Sequence, residues 1–220
     1  MALGVLFDID GTLISFNFDV QGSRKALLAE LTREGFDTGG LSLTSPTQYL
    51  IDSVRDQVTA GKVSADFQAV RKKLYSILDE FELESSGLVR VFPGTAETLA
   101  SLLAKSVRLA VLTNSGRRAA TEVLSRGSLL GFFDFVLTRD DVDAMKPDPG
   151  GVNQAVSMLS MPKDHVFYVG DSLYDIMAAK TAGLKVISVA TGNYTAERLK
   201  AEGAEIVLKS LSELPSVLPL

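Results

Sequence analysis

Short apolar runs recur along the chain, and helical patterns separate them. Six runs have the length and the near-continuous apolar character of buried strands. They occupy residues 3–9, 107–112, 135–138, 165–169, 185–189 and 206–208. Amphipathic helical patterns occupy residues 95–105, 117–125, 151–160, 175–182 and 195–201. This alternation predicts an α/β fold in which helices cover both faces of a parallel sheet.

One long interval, residues 16–88, contains no strand pattern. Its apolar residues recur at helical spacing in three groups. These groups are Leu27, Leu28 and Leu31; Leu50, Val54 and Val58; and Phe67, Val70, Leu74, Ile77, Leu78 and Phe81. We expect Pro46 to open the second helix and Ser64 to cap the third. The pattern predicts a helical cap domain at 16–88, inserted into a core domain of residues 1–15 and 89–220, and enclosing a substrate.

Two acidic residues stand at the end of the first predicted strand. Asp8 and Asp10 are separated by one residue, so an extended backbone directs both side chains to the same side. Ligands of open parallel sheets bind beyond the carboxyl ends of the strands. Two neighbouring carboxylates repel each other unless a cation or a proton lies between them. The pair indicates a divalent-metal site, with a solvated turn as the structural alternative.

Polar residues also follow three of the later predicted strands. Thr113 and Asn114 precede a helix, whose N-terminus suits either a phosphate group or plain capping. Lys146 follows the third strand and precedes a proline that restricts its backbone, although a surface lysine is the simpler interpretation. Asp171 follows the fourth strand, and Asp175 lies four residues later at the start of a helix. Together these residues predict one site along a single sheet edge.

Composition narrows the function classes. The 220-residue chain is 46% hydrophobic and carries a net charge of −5, which argues against nucleic-acid binding and against attraction to an anionic membrane. It has no cysteine, so disulfides and thiolate chemistry are excluded. The N-terminus lacks a basic region, and no apolar stretch approaches the roughly 18 residues of a membrane span. We therefore expect a soluble, cytoplasmic protein.

The four polar elements together resemble the motifs of the haloacid dehalogenase superfamily. The matching residues are Asp8-x-Asp10-Gly11-Thr12, Thr113, Lys146-Pro147 and Gly170-Asp171-Ser172-x-x-Asp175. The resemblance covers essentially the whole chain and implies a Rossmann-like core with a helical C1 cap. The helix after Asp171 is most similar to the phosphoglycolate-phosphatase-like branch. The residues 13–16 depart from the usual continuation of the first motif, which leaves the cap hinge and the substrate open.

The resemblance implies a phosphatase mechanism. Asp8 is expected to attack phosphorus and form an aspartyl-phosphate, while Asp10 protonates the leaving oxygen and later deprotonates water. Thr113, Asn114 and Lys146 are expected to bind the phosphate and stabilise its charge. The substrate is then a small phosphorylated metabolite such as 2-phosphoglycolate.

The same resemblance implies Mg²⁺ as the cofactor. Asp8, the main-chain carbonyl of Asp10, and Asp171 are the expected ligands, and Asp175 is expected to support them from behind. The loop 35–45 between the first two cap helices is expected to help choose the substrate. We expect a monomer or a homodimer that binds neither nucleic acid nor membrane.

Three other functions share part of this pattern. A sugar phosphomutase of the same superfamily also keeps Asp8 and Asp10, and the sequence barely separates it from a phosphatase. A haloalkanoate dehalogenase is disfavoured because that branch lacks the second acid. A phospho-accepting signalling domain is disfavoured because its accepting aspartate follows the third strand and it has no helical insert.

Overall fold

The computed structural model describes residues 3–15 and 18–220, and the chain divides into two compact units. One unit comprises Met1–Phe16 and Leu88–Leu220, and the other comprises Asn17–Gly87. The strands are β1 (Gly4–Phe7), β2 (Ile14–Ser15), β3 (Arg90–Val91), β4 (Arg108–Leu112), β5 (Val136–Leu137), β6 (Val166–Gly170), β7 (Lys185–Val189) and β8 (Ile206–Leu208). The α-helices are α1 (Val20–Arg33), α2 (Thr47–Thr59), α3 (Phe67–Ser85), α4 (Thr95–Ala104), α5 (Arg117–Arg126), α6 (Gly150–Leu159), α7 (Leu173–Thr181), α8 (Ala196–Glu202) and α9 (Leu214–Val217).

The larger unit is built on a six-stranded parallel sheet with the order β5-β4-β1-β6-β7-β8. The α/β prediction is confirmed, and each of the six predicted strands is present. The strand order runs outward in both directions from β1, which lies between β4 and β6. This is the order of the Rossmann fold, in which ligands bind at the carboxyl ends where the strand order reverses.

Alternate side chains of the strands pack into two separate hydrophobic cores, one on each face of the sheet. Val5 and Phe7 pack into the cluster on one face of the sheet, which α4, α5 and the C-terminal α9 cover. Leu6 and Tyr168 pack into the cluster on the other face, which α6 and α7 cover. Burial on both faces explains why the strands appear as continuous apolar runs rather than as alternating ones.

A second, two-stranded sheet lies where the chain leaves the larger unit and returns to it. Ile14 pairs with Val91, and Ser15 pairs with Arg90, in an antiparallel arrangement of β2 and β3. The main-chain N–H of Phe92 also donates to Leu13 O at 3.2 Å. Two-residue strands are too short for a period-2 pattern, so the sequence did not predict them.

The smaller unit is a bundle of α1, α2 and α3. Each helix buries one apolar stripe, formed by Leu27 and Leu31; Leu50, Ile51 and Val54; and Val70, Leu74 and Leu78. Pro46 directly precedes α2. Our prediction that Ser64 caps α3 is wrong, because the side chain of Asp66 accepts a hydrogen bond from Ala69 N at 2.7 Å. Among the described residues, no helix combines the length and the apolar character needed to cross a membrane.

Candidate active site

Three buried aspartates converge at the carboxyl ends of β1 and β6. Asp8 directly follows β1, and its main-chain N–H donates to Val169 O of β6 at 3.0 Å. Asp171 directly follows β6, and Asp175 is the third residue of α7. One carboxylate oxygen from each of the three lies within 4.8 Å of the others. Three negative charges so close together, and so deeply buried, require positive charge or protons to be stable.

Lys146 supplies part of that positive charge. Its Nζ donates to Asp8 Oδ1 at 2.7 Å and to Asp175 Oδ1 at 2.6 Å. It also lies 3.1 Å from Leu112 O and 3.0 Å from the hydroxyl of Tyr168. Asp8 and Asp175 raise the pKa of Lys146 well above its ordinary value, against the opposing effect of burial, so the ammonium group stays charged.

Both carboxylate oxygens of Asp175 are already engaged by the protein. Oδ1 accepts from Lys146 and, at 2.9 Å, from the Tyr168 hydroxyl. Oδ2 accepts from Ser172 N at 3.0 Å and from Ser172 Oγ at 2.6 Å, which completes a capping box at the start of α7. This arrangement makes Asp175 a support for Lys146 and for the start of α7, and its expected place behind metal ligands stays a prediction.

Burial and mutual repulsion change the acidity of the other two aspartates. Burial raises the pKa of Asp8 to about 6, although the ammonium of Lys146 works in the opposite direction. Burial, followed by the charges of Asp175 and Asp8, raises the pKa of Asp171 to about 8. Each carboxylate therefore holds a proton more tightly than usual until a cation is present.

A divalent cation fits this site. The site offers carboxylate oxygens, the ligands that Mg²⁺ and similar hard cations prefer. The observed cluster is Asp8, Asp171 and Asp175, whereas the predicted side-chain set was Asp8 and Asp171 with the main chain of Asp10. Since Asp175 is engaged elsewhere, Asp8 and Asp171 are the two carboxylates best placed to bind the ion.

Asp10 lies beside the loop that follows β4. Its Oδ2 accepts a hydrogen bond from Ser115 Oγ at 2.7 Å. Ser115 N in turn donates to Thr113 Oγ1 at 3.1 Å, and Thr113 is itself buried. Ser115 therefore joins the predicted acid–base residue to the predicted phosphate-binding residue, and no sequence motif had singled it out.

Asn114 pairs with the main chain of Lys146. Its Nδ2 donates to Lys146 O, and its Oδ1 accepts from Lys146 N, both at 2.9 Å. Arg139, which is only 1% exposed, donates to Asn114 O at 3.3 Å. The Asn114 side chain thus positions Lys146, and its expected contact with phosphate stays a prediction.

The start of α5 is also engaged by the protein. Arg117 N donates to Asp140 Oδ2 at 2.8 Å, and the Arg117 side chain pairs with Asp141. The sequence suits this helix end to phosphate or to capping, and at Arg117 it is capped.

The sequence analysis did not find Tyr168, because it lies inside an apolar strand run, where a tyrosine is indistinguishable from a packing residue.

Comparison with known proteins identifies the family of this chain. A family model described as haloacid dehalogenase-like hydrolase matches residues 5–189, which include every predicted site residue. The chain belongs to the haloacid dehalogenase-like hydrolases. The resemblance seen in the motifs is therefore confirmed, and the protein is an enzyme of this family.

The relatives of this haloacid dehalogenase-like hydrolase include named phosphatases. A phosphoglycolate phosphatase of Pseudomonas putida is 29% identical over 213 residues, which cover 96% of this chain and 77% of the relative. The solved structure of CbbY from Rhodobacter sphaeroides in complex with phosphate is 25% identical, with a TM-score of 0.64 over 97% of this chain and 96% of the other. A Thermotoga maritima structure provisionally described as a β-phosphoglucomutase is 24% identical, with a TM-score of 0.64 over 99% of this chain and all 100% of the other. That last likeness shows the fold alone.

Proposed function

We propose that this haloacid dehalogenase-like phosphatase hydrolyses small phosphomonoesters through a covalent phosphoryl intermediate on Asp8, with Mg²⁺ as its cofactor. The observation that carries the proposal is the contact between Lys146 Nζ and Asp8 Oδ1 within the three-aspartate cluster. A cation at 2.7 Å keeps the carboxylate oriented beyond the end of β1, where an incoming phosphate can be attacked.

The chain's own residues supply the remaining parts of the reaction. Lys146 stabilises negative charge on the phosphate oxygens, and Thr113 contributes from the loop after β4. Asp10 donates a proton to the leaving oxygen and then accepts one from the attacking water. Ser115 Oγ, 2.7 Å from Asp10 Oδ2, orients the Asp10 carboxyl group for this task.

Asp8 and Asp171 are the residues that would hold the metal ion, with Asp175 behind them. When bound, the ion supplies positive charge that offsets the repulsion between phosphate oxygens and the attacking carboxylate. The raised pKa values of Asp8, about 6, and Asp171, about 8, support a cationic occupant, because they show the cost of leaving both charges uncompensated.

The names of the relatives support a substrate class. The name phosphoglycolate phosphatase belongs to several of them, so 2-phosphoglycolate is the first substrate to test. A sugar phosphomutase of the same superfamily is the second candidate, because the resemblance implies that it also keeps the aspartate pair Asp8 and Asp10. A phosphatase transfers the phosphoryl group to water, whereas a mutase returns it to a sugar.

A substrate panel separates these two candidates. The purified protein is incubated with 2-phosphoglycolate, sugar monophosphates and nucleoside monophosphates, and then with a sugar monophosphate plus the matching bisphosphate. The phosphatase proposal expects release of inorganic phosphate that stops with chelator and resumes with Mg²⁺. Isomerisation of the sugar phosphate without release of phosphate would establish the mutase instead.

Replacing Asp8 tests the covalent step. Asp8→Asn keeps the shape of the side chain but removes the nucleophile, so kcat is expected to fall by about 10³-fold or more. The exposed Asp164→Asn serves as the matched control and should retain full activity. Acid quenching of the wild-type enzyme with labelled substrate should trap label on the protein, and the Asp8→Asn variant should trap none. Steady turnover by a variant verified to be free of deamidation would contradict the mechanism.

Four other expectations stay predictions. They are the enclosure of the substrate by a cap of residues 16–88, the role of the loop 35–45 in specificity, the cytoplasmic location and the monomeric or dimeric state.

A further inference from the structure

The carboxylate of Asp171 is packed against the main chain of two glycines. A β-carbon placed on Gly192 would lie 2.6 Å from Asp171 Cγ, and one placed on Gly11 would lie 2.5 Å from the same atom. Both distances are far shorter than any real carbon contact, so neither position accepts a side chain while Asp171 stays in place. Gly11 follows β1, and Gly192 lies in the loop between β7 and α8.

A hydrogen bond joins these two glycine segments. Thr191, the residue before Gly192, donates from Oγ1 to Gly11 O at 2.5 Å. On the other side, Thr12 Oγ1 donates to Asp171 Oδ1 at 3.3 Å. Asp171 is therefore held between two backbone segments that Thr191 ties together.

We propose that the Thr191-Gly192 turn is a positioning element for Asp171. The turn holds the Asp171 carboxylate in the orientation that the metal ion requires. The proposal adds a β7–α8 element to a site whose other residues follow β1, β4, β5 and β6. It rests on the proposed metal-binding role of Asp171. The physical reason is preorganisation: a carboxylate walled in by backbone loses little rotational freedom when it binds the ion.

Replacing Gly192 tests the close packing of this turn against the Asp171 carboxylate. Gly192 has an ordinary backbone conformation, so Gly192→Ala introduces a clash without backbone strain, whereas Gly11 has a φ of +80° and would confound the result. Gly131→Ala is the matched control, because no described atom lies within 4 Å of its added β-carbon. Metal-free Gly192→Ala is expected to melt at least about 3 °C below metal-free Gly131→Ala.

A double-mutant cycle identifies the partner of the clash. Asp171→Ala removes the carboxylate but keeps the β-carbon, which would lie 3.0 Å from the carbon added at Gly192. Adding Gly192→Ala to Asp171→Ala is therefore expected to lower Tm in chelator much less than adding it to the wild type. An equal loss with and without the Asp171 carboxylate would overturn the proposal, because the turn would then pack against something else. This arm uses no metal, so it stands or falls independently of the metal-binding role.

The affinity for Mg²⁺ tests whether the turn positions Asp171 for metal binding. Calorimetric titration of Mg²⁺ into the metal-free protein should show binding at least about tenfold weaker for Gly192→Ala than for Gly131→Ala. Thr191→Val should weaken binding, and Thr191→Ser, which keeps the hydroxyl, should restore it; this pair decides the question if Gly192→Ala does not fold. Unchanged affinity in both Thr191→Val and Gly192→Ala would overturn the positioning role. Absence of Mg²⁺ binding by the wild-type protein would instead refute the proposed metal site.

Discussion

At the scale of single residues, the site depends on one cation shared between two buried carboxylates. Lys146 has three protons, and its neighbours include Asp8, Asp175 and Leu112 O, with the Tyr168 hydroxyl as a fourth. Desolvating such a group is costly unless its protons are all used. The arrangement meets that condition, and it leaves Lys146 held in place before any substrate arrives.

Removing Lys146 should therefore cost far more stability than removing the Tyr168 hydroxyl. Lys146→Met leaves two carboxylates facing each other and is expected to cost about 3–5 kcal/mol at pH 8 in chelator. Tyr168→Phe leaves Lys146 with three acceptors and is expected to cost about 1 kcal/mol. Urea unfolding measures both, and Lys209→Met, at an exposed position, is the control.

The cost of Lys146→Met should also depend on pH. The pKa of Asp8 is raised to about 6 even with the lysine present, so below that pH the carboxylate is protonated and tolerates the loss of its partner. The destabilisation is expected to shrink between pH 8 and pH 5. Equal costs for Lys146→Met and Tyr168→Phe at pH 8 would show that the ion pairs contribute nothing beyond a single hydrogen bond.

At the scale of secondary-structure elements, short polar contacts decide where helices begin. The capping box of Ser172 and Asp175 starts α7 immediately after β6 and directs Asp175 toward Lys146. In the smaller unit, Asp19 and Asp66 accept hydrogen bonds from the first turns of α1 and α3. These caps satisfy amide groups that have no partner inside the helix.

Asp66 and Ser64 form a natural pair for testing the start of α3. Asp66→Ala removes the bond to Ala69 N and is expected to destabilise the first turn by about 1 kcal/mol. Ser64→Ala, two residues earlier, is expected to change almost nothing. Hydrogen exchange of the first-turn amides of α3 is the measurement. Faster exchange in Ser64→Ala than in Asp66→Ala would place the helix start where the sequence alone suggested it.

At the scale of the whole molecule, the acidic cluster links stability to pH and to metal. The pKa values of Asp8 and Asp171 are raised from 3.8 to about 6 and about 8. The folded protein thus binds these protons more tightly than the unfolded chain does. Between about pH 4 and pH 8 the stability contribution of this cluster therefore falls as pH rises.

Thermal melting of the metal-free protein provides the test. In chelator, Tm is expected to fall between pH 6 and pH 8, and the slope should flatten in Asp171→Asn. Adding Mg²⁺ should raise Tm more at pH 8 than at pH 6, because the ion binds the deprotonated carboxylates. A metal-free Tm that rises across this range in the wild type, with the same slope in Asp171→Asn, would show that the cluster does not control the pH dependence.

The sequence by itself determined the α/β class, the six strands of the large sheet and the polar residues at their ends. It could do so because burial on both faces leaves a continuous apolar run, and because motif residues stand directly after each run. The approximate bounds of the principal helices followed from helical periodicity in the same way.

Only the tertiary structure decided which of those polar residues contact one another. The Lys146–Asp175 ion pair, the Ser115–Asp10 bond and the packing of Gly192 against Asp171 join positions between 21 and 105 residues apart. No local pattern encodes such contacts, because they arise when parallel strands bring distant loops to one edge of a sheet. Glycine and serine also carry no distinctive pattern in a loop, so their roles appear only once their neighbours in space are known.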